Sequence, residues 1–177
     1  MGNHERIEPP LQSSEIDTLR GFLAYHRDTF RWKTEGLSQQ QLRTPLPPST
    51  MTLGGMIKHL AVVESSWFSE DFLGGAPMAP FDTAPWEEDR DWEWHSAGQD
   101  TPEQLRALFD DAVARSDRII DEALATGGLE QVSVAEDRRT GEHYSLRWIL
   151  VHMIEEYARH NGHADLIRES IDGQTGE

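Results

Sequence analysis

Apolar residues recur at helical spacing through four long segments of this chain, and that periodicity constrains the fold more than any other feature. In the first, from about Ser14 to Glu35, Ile16, Leu19, Phe22, Leu23 and Phe30 form the stripe. Tyr25 and Trp32 flank it, and Gly36 stands where a C-terminal cap belongs. The second follows the proline-bearing link TPLPPST, takes Ser49 or Thr50 as N-cap, and runs through Leu53, Met56, Ile57, Leu60, Val63, Trp67 and Phe68. The third opens at Thr101, Pro102 and Gln104, a capping-box pattern with proline in the first turn. It continues through Leu105, Leu108, Phe109, Val113, Ile119, Ile120 and Leu124 and stops at Gly127-Gly128. The fourth is capped by Ser145 and ends before Gly173. Four such helices, with no internal repeat, predict an all-α protein built as a four-helix bundle, one domain over residues 1–177.

Two long connections join these helices, one between the second and third and one between the third and fourth. Residues 73–100 mix Gly, Pro and Asp with Trp86, Trp92 and Trp94 and keep neither a helical nor a strand period. Tryptophans are costly to leave in water, so this excursion is expected to pack over one end of the bundle or against a second subunit. The later connection contains QVSVAEDRRTGEHY, whose Arg139-Thr140-Gly141 tip suits a turn between two short extended pieces.

Composition removes several functional classes. With 177 residues and no cysteine, the chain has neither a disulfide framework, a thiolate zinc site nor a Cys nucleophile. Any metal must be held by His, Asp, Glu or water, and any thiol chemistry belongs to a cofactor. The formal charge of −16 opposes binding to nucleic-acid phosphates or to anionic lipid. No apolar run approaches the length that crosses a bilayer, and MGNHERIEPP lacks the apolar core of a signal peptide, so a cytoplasmic location is expected. Arg6 stands where a myristoylation motif requires Ser or Thr. No Ser-His-acid signature appears, and Gly54-Gly55 lacks the Lys-Ser/Thr of a phosphate loop.

The fourth helix carries the chemistry. His152, Glu156, His160 and His163 follow at steps of four, four and three, so they lie on one side of one helix. Leu146, Ile149, Leu150, Met153, Leu166 and Ile167 surround them and place the stripe at or near the packed side. Imidazole and carboxylate groups there need a partner. A divalent ion gripped by two ligands one turn apart, with a third from a facing helix, is one solution; hydrogen-bonded core histidines are the other. His4, His26, His95 and His143 share no register and are read as solvent-facing or locally hydrogen-bonded.

Taken together, TFRWKTEGL in the first helix, LGGMIKHLAVVESSWF in the second and HMIEEYARHNGHADLIRE in the fourth resemble the DinB/YfiT-like superfamily of metalloenzymes, in its mycothiol-associated actinobacterial branch. The resemblance spans nearly the whole chain. It implies a divalent metal held by His59, within IKHL, and by two ligands one turn apart in the fourth helix. Aligning Asn161-Gly162-His163 with the family's Arg-Gly-Gln-like segment makes those ligands Glu156 and His160. The family's commoner pair is His-x-x-x-His, so Glu156 is a departure. His163 falls where the family often has Gln and is expected as a second-sphere group or extra ligand, with His152 as a further candidate.

A His-His-Glu set resembles an open catalytic zinc site more than a closed structural one, although nickel, iron or manganese also suit such ligands. The activity implied is thiol S-transfer, or isomerisation through a thiol adduct, with mycothiol as the low-molecular-weight thiol and an electrophile as second substrate. Arg159, beside His160, is a candidate contact for a substrate carboxylate, or else an ion-pair partner of Glu64 or another acid. The competing expectations are a non-catalytic homodimer stabilised by the ion or by a His/Glu cluster, and a metal-dependent hydrolase.

Overall fold

The computed structural model describes residues 6–176. Helices dominate it, and sheet among the described residues is confined to one two-stranded hairpin, so the all-α expectation holds. The chain divides into two compact units, one of Met1–Leu53 with Leu150–Glu177, the other of Gly54–Ile149.

In the first unit, α1 (Glu15–Thr34) starts where the periodic segment begins, and Ser14 caps it, its Oγ accepting from the Asp17 amide at 3.1 Å. Gly36 follows its end at φ 73°, a conformation open to glycine at little cost. A short helix, α2 (Gln39–Leu42), was not expected; four residues are too few to show a period, although Ser38 and Gln41 form a full capping box. The last helix, α6 (Leu146–Asp172), supplies the rest of this unit from Leu150 onward.

Two contacts fix how α1 meets α6. The Asn161 carboxamide donates to the His26 carbonyl at 3.0 Å, and Arg168 Nη1 donates to the Lys33 carbonyl at 3.0 Å. Both join residues 135 apart, so the two helices run parallel and in step. Arg168 also donates to the Glu35 carbonyl at 2.8 Å and so satisfies carbonyls left open at the end of α1. Leu23, Phe30, Met153, Tyr157, Ala164 and Ile167 are buried here. Phe22 and Leu166, expected on the packed stripes, are 44% and 59% exposed. Each adjoins a buried residue, Leu23 and Ile167, and neighbours turn about 100° apart on a helix, so only one of each pair faces inward.

In the second unit, α3 (Leu53–Glu64) passes directly into a π-helical segment, Ser65–Phe72. The apolar run of the sequence predicts one α-helix there, and a stripe over two turns does not separate α from π winding. In the widened segment Ser65 Oγ accepts from the Met78 amide at 3.2 Å and donates to Glu70 Oε1 at 3.2 Å. Gly74 stands two residues past its end, where a φ of 68° and the 2.9 Å approach of a would-be Cβ to Val134 exclude a side chain.

Residues 73–100 hold short 3-10 turns at Phe81–Thr83 and Ala97–Gln99 and a five-residue helix, α4 (Trp92–Ser96). Phe81 is buried with Ala61 of α3 and Ala112, and Trp86 and Trp92 pack against that cluster. Trp86 Nε1 donates to the Phe81 carbonyl at 3.0 Å, and Lys58 Nζ lies 4.4 Å from the centre of the Trp92 ring and 2.7 Å from Asp100 Oδ2. All three tryptophans of the excursion are partly buried, as their apolar area predicts.

The following helix, α5 (Pro102–Thr126), has the predicted capping box: the Thr101 amide donates to Gln104 Oε1 at 2.8 Å and the Gln104 amide to Thr101 Oγ1 at 3.2 Å. Strands β1 (Val132–Glu136) and β2 (His143–Ser145) then pair antiparallel, the minor hairpin expected from the sequence. Asp137 organises its tip by accepting from the Thr140 and Arg139 amides and the Tyr144 hydroxyl, which hold its carboxyl down at about 2.

Candidate metal centre

Glu156 and His160 lie one turn apart on α6, as their spacing requires, with Glu156 Oε1 3.1 Å from His160 Nε2. His160 is buried, at 7% exposure. The His163 ring sits edge-on to it, with centroids 5.6 Å apart. Burial, with the neighbouring His160 and Arg159 charges, lowers the His163 pKa below the ordinary histidine value, and its buried Nδ1 has no hydrogen-bond partner. His152 is turned toward Glu155, its Nδ1 3.5 Å from Oε2. Arg159 is exposed and pairs with Glu155 one turn back rather than with Glu64.

His59 comes from α3. Its Nδ1 lies 3.0 Å from Glu93 Oε1, and its ring stacks on Trp94 with centroids 4.9 Å apart and planes 29° apart. Glu93 is buried at 6% exposure, and its second oxygen, Oε2, has no hydrogen-bond partner.

One donor atom from each of His59, Glu156 and His160 lies within 4.8 Å of the other two. These are the three residues to which the family resemblance assigns a metal, and they could hold one. A four-coordinate ion with bonds of about 2.0–2.2 Å spaces its donors by about 3.4 Å, so the Glu156–His160 pair is already at a suitable separation. Two imidazoles and a carboxylate fit a divalent ion of borderline softness without selecting among zinc, nickel, iron and manganese. Among the described residues His152 and His163 are not in this group.

The other histidines divide. His95 pairs locally with Asp89 at 2.8 Å and His143 faces Glu136 across the hairpin at 3.6 Å, as expected. His26 makes a distant contact instead, with its Nδ1 3.3 Å from Asn161 Nδ2. Its pKa is lowered by burial. His4 lies outside the described residues. Sequence reasoning missed Glu93 and Trp94 at the site; the available signal was a carboxylate set between two tryptophans in Trp92-Glu93-Trp94.

A family model for mycothiol-S-transferases matches residues 18–173, a span that contains His59, Glu156 and His160. Among curated proteins none matches the chain. A solved structure described as the conserved protein of locus from Enterococcus faecalis is 18% identical, with a TM-score of 0.61 over 92% of this chain and 100% of that one. At that identity the likeness speaks for a common fold. The family match covers most of the chain, and the protein therefore belongs to the mycothiol-S-transferase family, which is DinB-like.

Proposed function

We propose that the protein is a divalent-metal-dependent transferase that joins the thiol of mycothiol to an electrophilic small molecule. The observation that carries this reading is the approach of His59, Glu156 and His160 within a chain of the mycothiol-S-transferase family. These three residues would hold the ion, zinc by preference, through two neutral imidazoles and one carboxylate. A divalent ion bound there supplies Lewis acidity that lowers the pKa of a thiol or of water. The chain itself has no cysteine, so the reacting sulfur comes from the cofactor.

In the reaction, the sulfur lone pair forms the new bond to carbon, the thiol proton passes to a base in solution, and in a displacement the leaving group departs with its bonding electrons. The 3.1 Å contact between His160 Nε2 and Glu156 Oε1 holds these two groups side by side in the metal-free protein, and a bound ion would take its place by accepting a lone pair from each. Arg159 would serve a substrate carboxylate by exchanging it for Glu155, its present partner.

The match over residues 18–173 supports reading the chain as a single DinB-like four-helix bundle domain. Among the described residues no helix is long and apolar enough to cross a membrane, which agrees with the cytoplasmic location in this reading. Exposed Val132, Val134 and Trp148 offer apolar surface for the homodimer expected from the sequence.

The test is a direct one. Zinc-loaded protein, mycothiol and a chloro-nitroarene should yield thioether and chloride faster than the same mixture with free zinc. A rate no higher than that of free zinc, across several electrophile classes, would remove the transferase assignment.

A further inference from the structure

We infer that Glu93 is a positioning residue of the metal centre: it accepts a hydrogen bond from His59 Nδ1–H, fixing the tautomer whose Nε2 lone pair faces the ion. The inference rests on the proposed role of His59, Glu156 and His160 and extends it to a segment with no function so far, the tryptophan-rich excursion. Glu93 Oε1 is 3.0 Å from His59 Nδ1, and Glu93 itself is not in the donor triplet. Its part is therefore to act on His59 rather than on the ion directly.

Two features give this contact a purpose beyond local packing. The first is cost. Glu93 is buried at 6% exposure, with one oxygen directed to His59 and the other lacking any hydrogen bond. A buried carboxylate satisfied so incompletely is expensive unless positive charge lies close by. An ion carried on the far nitrogen of the same imidazole provides that charge, and the carboxylate in turn makes the imidazole a stronger donor.

The second is geometry. Trp94 stacks on the ring at 4.9 Å with planes 29° apart, so the hydrogen bond sets rotation within the ring plane while the indole restrains tilt out of it. Adjacent residues of α4 thus hold the imidazole in both respects. The helix is anchored nearby by Trp92, which packs on the Phe81 cluster and lies over the Lys58 ammonium. A five-residue helix with its own apolar anchor is a means of presenting one carboxylate at one angle.

The experiment uses the full chain without metal and then with zinc. In the metal-free wild type, ring-nitrogen NMR should show His59 protonated at Nδ1. Glu93→Gln keeps an acceptor oxygen and should keep that tautomer, whereas Glu93→Ala should shift the proton toward Nε2. With zinc, Glu93→Ala should weaken binding by about 10- to 100-fold and Glu93→Gln by less, because the loss of such an outer partner has that effect in known sites. The inference is overturned if wild-type His59 carries its proton on Nε2, or if both variants bind zinc as wild type does. A wild type that shows the Nδ1–H tautomer yet binds no zinc would instead overturn the metal reading and leave the Glu93–His59 contact as found.

Discussion

Replacing His160 with alanine is expected to lower zinc affinity by more than about 100-fold, because losing a mere outer partner of a ligand already costs about 10- to 100-fold. Thiol transfer should fall with it. His160 and Glu156 are adjacent donors at 3.1 Å, so a single deletion leaves a one-turn grip without one of its two points. Glu156→His is the informative companion: it restores the commoner imidazole pair of DinB-like chains and should retain or raise affinity. Both are measured by competition against a chromogenic chelator, with far-UV circular dichroism to confirm that the helices persist. Wild-type affinity in His160→Ala would mean that the ion sits elsewhere.

A second large effect is expected far from any donor atom. Phe81→Ala should destabilise the protein by about 3–5 kcal/mol, the usual result of emptying a well-packed aromatic site. Phe81 is 3% exposed, packs with Ala61 and Ala112, and accepts the Trp86 indole hydrogen bond through its carbonyl. Its loss should loosen residues 73–100, shift tryptophan emission to the red, and broaden the His59 signals by freeing Glu93 and Trp94. Urea denaturation followed by fluorescence and by circular dichroism measures the change. A loss below about 1 kcal/mol would show that the excursion is held by something other than this cluster.

The long helices were legible because their signals are local and repeated. Thr101 with Gln104 and Ser145 mark helix starts through side chains three residues from the amides they satisfy, and Gly173 marks an end through its positive φ. The Glu156–His160 pair was legible for the same reason, since one turn of one helix brings the two together. His59 entered only through family resemblance; nothing in its own spacing identifies it as a partner of residues nearly a hundred positions away. The unread features share that difficulty. The parallel pairing of α1 with α6 rests on contacts 135 residues apart, and the Glu93–His59 bond spans 34 residues through a segment with no period. The π winding after Glu64 leaves the same apolar pattern as an α-helix, and Phe22 and Leu166 show that a stripe gives a face without deciding which of two neighbours lies at its centre.

X-ray absorption spectroscopy of the zinc-loaded wild type, set beside metal analysis of a variant lacking the side chains of His59, Glu156 and His160, tests whether these residues form one site. The expected result is one ion per chain with two imidazoles and one carboxylate in its first shell, and no retained ion in the triple variant. An ion bound equally by both proteins, or a wild-type shell containing no imidazole, would contradict it.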